Sequence, residues 1–230
     1  MRMEPHRLRF GPAADLALVL AAIAAAWVLS RWVIYPALGI PDYAPYMLRP
    51  ICGFLAAWCV LRYRGGSWAA LGLRRPARLW AAVALTIGAY LVELAMWQWL
   101  VPLLAQWIHP TRRPSFLAHL HGNFPALVFW MAVAWLVGGI CEECLFRGFL
   151  LTRVESLLGG GGAALALAIV AQAALFGTLH LYGGTFAFMY AALFGVVHGI
   201  IYLLGGRNFW PVIVLHAVTD SVAFWGVYRS

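Results

Sequence analysis

The chain has 230 residues, of which 64% are hydrophobic and only 10% are charged, and its net charge is +8. Soluble domains carry about a quarter charged residues, so this composition argues against a soluble protein and favours one that is embedded in a lipid bilayer. All sixteen basic residues are arginines that stand between apolar runs, which is typical of membrane-flanking charge and argues against nucleic acid as a partner.

Apolar runs of spanning length follow one another along the whole chain. In order, they cover residues 13–35, 44–62, 79–107, 124–150, 161–182, 185–204 and 208–228. The first run imitates a signal peptide, but it continues to Ile34, and we interpret it as a retained span. The sequence therefore predicts an all-α protein, a polytopic transmembrane helix bundle of about seven spans that forms one membrane-embedded domain over residues 1–230.

The distribution of arginine predicts the orientation of the bundle. Arg147 lies within a span; of the other arginines, ten lie at the N-terminus and in the loops on its side, and five lie on the opposite side. The positive-inside rule therefore places the N-terminus in the cytoplasm and, with seven spans, the C-terminus outside. Because the chain has no lysine, we expect a GC-rich genome and hence a prokaryotic plasma membrane.

Cysteines and loop histidines give no strong metal signal. The loop at 108–123 has three histidines with irregular spacing around prolines, and we interpret them as solvated loop residues: His109, His119 and His121. The cysteines lack the spacing of a zinc knuckle or a disulfide framework; they are Cys52, Cys59, Cys141 and Cys144.

Two adjacent glutamates lie within the fourth predicted span. An ionisable group at membrane depth costs about 2.5 kcal/mol or more to insert, so each is a functional candidate. Glu143 precedes Arg147 by one helical turn, which is the favourable order for an ion pair. Glu142 points about 100° away and keeps a carboxylate that can act as general acid or base. The alternative is a charge cluster that caps the span at the interface.

Histidines near the ends of two later spans complete the polar pattern. His180 follows Phe176 by one turn, and Asp220 follows His216 by one turn on the same face. A histidine with a carboxylate four residues on can bind a metal or hold a water. Each pair alone is equally compatible with a buried polar contact between helices.

Two further ionisable groups lie in other spans. His198 follows Phe194 with the same spacing, and we favour a packed histidine that bonds a backbone carbonyl over a ligand or a proton relay. Glu93 lies in a tryptophan-rich span and is interpreted as a structural or substrate-channel group.

The order and spacing of the three motifs resemble those of the CAAX-protease and bacteriocin-processing (Abi) intramembrane protease family. They are Glu142-Glu143-x-x-x-Arg147, Phe176-x-x-x-His180 and His216-x-x-x-Asp220. The similarity covers residues 124–222, the expected motif-bearing catalytic core, with the active-site cavity between the fourth, fifth and seventh spans. The first three spans resemble the family only in being hydrophobic.

The resemblance implies an intramembrane endopeptidase. In such a site Glu142 and His180 activate the attacking water, while His216 and the residue four positions later line the cavity and stabilise the oxyanion. That later residue is often Asn in the family, and an ionised Asp220 would repel an oxyanion. Asp220 is therefore protonated, orients a histidine or binds a metal. The residues that support the site are Glu143, Arg147 and Phe176.

The cofactor and the substrate stay open from the sequence. A divalent metal such as Zn²⁺ and a metal-free glutamate mechanism are both compatible with the motifs. The residues that would hold a metal are Glu142, His180, His216 and Asp220. Prenylated CAAX proteins, bacteriocin leader peptides and C-terminal sorting tails are all conceivable protein or peptide substrates.

Two other functions compete with proteolysis. A non-proteolytic scaffold or immunity-type membrane protein would keep the polar site as a buried network. A proton-coupled transporter would also need intramembrane Glu and His, but the chain is small and shows no internal repeat.

Overall fold

A computed structural model describes residues 11–34, 37, 44–108 and 117–230, with the side chains of 44–46 left aside. Throughout this described part of the chain the regular structure is helical, and it contains no strand. The all-α prediction is confirmed. The predictions that concern His109, Arg112, Arg113 and the N-terminal arginines fall outside the described residues, so the orientation stays a prediction.

Eight helices build the described part. They are α1 (Pro12–Ile34), α2 (Ala44–Tyr63), the short α3 (Trp68–Leu71), α4 (Leu79–Trp107), α5 (Phe124–Leu157), α6 (Gly161–Leu179), α7 (Gly184–Leu204) and α8 (Phe209–Arg229). Short 3₁₀ turns, Ala118–Leu120 and Leu181–Gly183, precede α5 and α7.

Six of these helices are long and apolar enough to cross a bilayer, namely α1, α4, α5, α6, α7 and α8. The remaining predicted span, α2, is a helix of 20 residues that contains Pro50 and packs along α1 and α5. The helices identify an integral membrane protein and agree with a bundle of about seven spans.

Helix α5 is the central element of the bundle. It has 34 residues and is therefore roughly 50 Å long, which exceeds the hydrocarbon thickness of about 30 Å. Its middle, Ala134–Glu142 and Cys144–Leu150, is π-helical, a form often found at functional sites. Helices α2, α6 and α8 all pack against α5.

Helices α6 and α7 form a close hairpin. A Cβ atom on Gly195 would lie 2.9 Å from the Cα atom of Ala173, so only glycine lets the two backbones approach in this way. The buried side chain of Gln172 donates a hydrogen bond to the Gly195 carbonyl at 2.8 Å. The close approach and this hydrogen bond hold α6 and α7 together.

Ion pairs join the helix ends. Asp15 on α1 contacts Arg64 at 2.6 Å and Arg153 at 3.1 Å. Glu155 at the end of α5 contacts Arg207, just before α8, at 2.8 Å. These carboxylates, which the sequence places near segment ends, therefore hold α1, α5 and α8 together.

The loop before α5 has local partners for its histidines. The Trp130 indole donates a hydrogen bond to His119 Nε2 at 2.9 Å. His121 Nδ1 lies 3.2 Å from the Ser230 hydroxyl at the end of α8. The two side chains are exposed, as the interpretation as loop residues predicts, but they also tie this loop to α5 and α8.

Candidate active site

Four side chains from three parts of the bundle line a single cavity of about 240 Å³. They are Glu142, His180, His216 and Asp220. Helix α5, the α6–α7 junction and α8 supply them, so the predicted position of the cavity between the fourth, fifth and seventh spans is found. Helix α7 adds an apolar wall with Tyr190 and Phe194.

Glu143 and Arg147 form a fully buried ion pair. Arg147 Nε lies 3.2 Å from Glu143 Oε2, and both side chains have no exposed surface. The Arg147 guanidinium also lies over the Phe176 ring, 4.6 Å from its centroid, which is a favourable cation–π distance. The motif residues of α5 and α6 are thereby packed together.

Glu143 also contacts a histidine of α8. Its Oε1 lies 2.6 Å from His216 Nδ1, and because an ionised carboxylate only accepts, the Nδ1–H donates. Such a carboxylate–histidine bond fixes the ring orientation and the tautomer. The other ring nitrogen, Nε2, therefore faces the cavity.

Two carboxylates face His216 Nε2 in the cavity. Glu142 Oε2 lies 3.8 Å from this nitrogen, and Asp220 Oδ2 lies 3.7 Å from it. The side chain of Glu142 is 15% exposed and that of Asp220 is 36% exposed, whereas Glu143 is closed off. The two adjacent glutamates thus occupy the different environments that the helical spacing predicts.

Gly138, one turn before Glu142, leaves space in the cavity. A Cβ atom at this position would lie 3.1 Å from His216 Nε2 and 3.2 Å from Asp220 Oδ2. The absence of a side chain therefore keeps open the volume beside the two polar groups.

His180 is held by backbone groups at the end of α6. Its Nδ1 lies 2.9 Å from the Phe176 carbonyl oxygen, which can only accept, so Nδ1–H donates and Nε2 carries no proton in the neutral ring. Arg49 on α2 donates to the neighbouring Leu179 carbonyl at 2.9 Å, which satisfies a terminal carbonyl of α6.

His198 has a role in this site that the sequence analysis missed. It bonds two carboxylates rather than a backbone carbonyl: Nδ1 lies 3.1 Å from Glu143 Oε1, and Nε2 lies 2.8 Å from Glu93 Oε1. The Thr219 hydroxyl donates to Glu93 Oε2 at 2.6 Å. The signal that pointed to His198 was its Phe194-x-x-x-His198 spacing, the same as that of Phe176 and His180.

The geometry bears on the residues that could hold a metal. Among the described residues, ligand atoms of Glu143, His198 and His216 all lie within 4.8 Å of one another. The 2.6 Å contact between Glu143 and His216 is a hydrogen bond, because two ligands of a tetrahedral zinc ion lie about 3.3 Å apart.

A second set of possible donors lines the cavity. Glu142 Oε2 and Asp220 Oδ2 lie 3.8 Å and 3.7 Å from His216 Nε2, with His180 in the same wall. Imidazole and carboxylate donors of this kind are those of catalytic zinc sites.

Comparison with known families agrees with the motifs. The family model described as type II CAAX prenyl endopeptidase Rce1-like matches residues 124–222. The match covers 99 of the 230 residues, and these residues are called the Rce1-like segment below. The resemblance drawn from the motifs is confirmed over the same residues, and the bacteriocin-processing part of it stays a prediction. No curated protein and no solved structure matches the chain.

The Rce1-like match supports an enzyme, since the family is one of proteases, and it indicates CAAX-type intramembrane protease activity. Every motif residue of the cavity lies within the Rce1-like segment. Arg49 and Glu93, which contact the site from α2 and α4, lie outside it.

Replacement of Arg147 by Met should destabilise the protein strongly. The change leaves Glu143 buried without its cation, and breaking a buried pair in this way costs about 3–5 kcal/mol. Addition of Glu143→Gln should recover part of the loss. Thermal unfolding in detergent measures both effects, with Arg229→Met at the exposed end of α8 as the control. An Arg147→Met protein that unfolds at the wild-type temperature would contradict the ion pair.

Proposed function

We propose that the protein is an intramembrane endopeptidase that hydrolyses a peptide bond in or near a membrane-associated substrate segment, with water activated by Glu142. The observation that carries the proposal is the shared cavity, in which a partly exposed carboxylate faces imidazoles whose Nδ1 atoms are already bonded. The Rce1-like match supports the class of reaction.

Glu142 is the proposed general base. Its carboxylate reaches the cavity, whereas Glu143 is engaged by Arg147 and two histidines. Neutral His180 presents Nε2 as an acceptor because its Nδ1–H donates to the Phe176 carbonyl. A water that donates one hydrogen to Glu142 and the other to His180 is oriented for attack on the peptide carbonyl.

Glu142 both takes up and returns the proton that moves during the reaction. Glu142 takes a proton as the water oxygen bonds to the carbonyl carbon, and the carbonyl oxygen becomes an oxyanion. His216, with a proton on Nε2, donates to that oxyanion from the cavity wall. Glu142 then returns its proton to the leaving amine as the C–N bond breaks.

Asp220 is assigned to orientation of His216 or to metal binding. Its Oδ2 lies 3.7 Å from His216 Nε2, on the side of the cavity where an oxyanion would form. An ionised carboxylate does not stabilise an oxyanion there, so the Asn-like donor role would require a protonated Asp220.

In the alternative, metal-dependent form of the reaction, a divalent metal such as Zn²⁺ would be held by Glu142, His216 and Asp220, with His180 nearby. The metal would take the place of the proton on His216 Nε2 and would polarise a bound water or the peptide carbonyl. Since two carboxylates meet at His216 Nε2, we expect chelator treatment to lower cleavage and added Zn²⁺ to restore it. Metal analysis of the purified protein should find about one equivalent, as one site of this kind binds one ion. Full activity of chelated, metal-free protein would instead establish the glutamate mechanism without metal.

Glu142→Gln should lower kcat by at least about 100-fold, because Gln cannot accept the proton of the water. The assay uses protein reconstituted in lipid vesicles and a panel of prenylated CAAX peptides, leader peptides and C-terminal sorting tails. Glu155→Gln, which changes a carboxylate outside the cavity, is the matched control. Cleavage by Glu142→Gln at the wild-type rate would refute the assignment.

Gly138→Ala should lower kcat of the folded protein at least about 10-fold. The added methyl group fills the space 3.1 Å from His216 Nε2 where the water and the scissile carbonyl must meet, and misplacement by about 1 Å is enough for large losses of rate. Gly226→Ala on α8, where a Cβ meets nothing within 4 Å, is the control. Equal rates for the two variants would contradict the proposed position of the reaction.

A further inference from the structure

A polar ring joins the site to a helix outside the Rce1-like segment. Glu93 on α4 contacts His198 on α7, His198 contacts Glu143 on α5, and Glu143 contacts His216 on α8. Thr219 on α8 then donates to Glu93 and closes the ring. Four helices thus meet in one set of hydrogen bonds, and α4 enters it through Glu93 alone.

The ring is buried and its donors are matched to acceptors. Glu93 is 3% exposed, and His198 and Glu143 have no exposed surface. Both ring nitrogens of His198 face carboxylate oxygens, and Arg147 lies beside Glu143.

Glu143 Oε1 is the atom of the ring that contacts both histidines. It accepts from His198 at 3.1 Å and from His216 at 2.6 Å. The direction of this oxygen decides where the His216 ring lies, and the position of that ring decides where Nε2 enters the cavity. Glu93 and His198 are not among the residues that line the cavity, so they act on the reaction through their partners. His198 acts through Glu143, and Glu93 acts through His198 and Thr219.

We propose that Glu93 and His198 are positioning residues for the hydrolysis: they hold Glu143 so that its hydrogen bond aims His216 Nε2 at the cavity. The inference rests on the proposed function. It assigns a part in the site to α4, which contains none of the three motifs.

The decisive variant is the double change Glu93→Leu and His198→Leu. Removal of both partners leaves no unpaired charge between them, and Glu143 keeps Arg147, so the unfolding temperature should stay close to the wild-type value. We expect kcat to fall about 10- to 100-fold, as is usual for residues that orient a functional histidine, while KM changes less than about 2-fold. A wild-type kcat in the stable double variant would overturn the proposal.

Gln172→Leu is the matched control. Gln172 is also buried and also bonds α7, through the Gly195 carbonyl, but it lies outside the ring. Its loss should lower stability and leave kcat of the folded protein unchanged. Glu93→Gln, which keeps the shape and most hydrogen bonds, should retain more activity than Glu93→Leu. Equal losses of kcat in Gln172→Leu and the double variant would mean that the ring has only a structural role.

A spectroscopic measurement separates this inference from the proposed function. Nitrogen NMR of labelled histidine, assigned by difference with His216→Gln, reports whether His216 keeps its proton on Nδ1. In the wild type and in Gln172→Leu, His216 should show a single protonation state with the proton on Nδ1. In the double variant, it should show a mixture of states. Normal cleavage by Glu142→Gln would contradict the proposed function. If Glu142→Gln is inactive but the double variant keeps the wild-type His216 signal and the wild-type kcat, the positioning role alone is wrong.

Discussion

The carboxylate of Glu143 is the group on which the arrangement of the bundle depends. One oxygen pairs with Arg147, and the other accepts from His198 and His216. A buried charge that loses its counter-ion is strongly destabilising, and more so where lipid replaces water. Arg147 supplies the opposite charge, and the two histidines supply hydrogen bonds that tie α5 to α7 and α8 at the depth of the cavity.

This constraint separates the functions of two neighbouring residues. Because neighbouring side chains on a helix are about 100° apart, Glu143 is enclosed by Arg147 and His198, whereas Glu142 turns towards the cavity and faces the second ring nitrogen of His216 at 3.8 Å. The Glu143 carboxylate pairs with Arg147 and also orients His216, so the ion pair and the geometry of the site depend on the same group. A change at Arg147 therefore acts on the site through Glu143 as well as on stability.

The sequence could predict what depends on local spacing. The ion pair between Glu143 and Arg147 follows from the distance of one turn, and the apolar runs predict the spans. The ring through Glu93 and His198 could not be predicted, because it joins residues 105 positions apart through the packing of α4 and α7. The depth of His180 relative to Glu142 likewise depends on how α5 and α6 pack, which periodicity does not determine.

Contacts from α2 and α4 support the motif-bearing core. Residues 124–222 contain every motif side chain of the cavity, yet Arg49 holds the end of α6 next to His180, and Glu93 holds His198. These two long-range contacts support the positions of His180 and His198. A segment with only the three motifs would leave a terminal carbonyl of α6 and one nitrogen of His198 without these partners, and both groups are costly to leave unbonded in lipid. The first helices thus serve as the support that lets the motif residues keep one geometry.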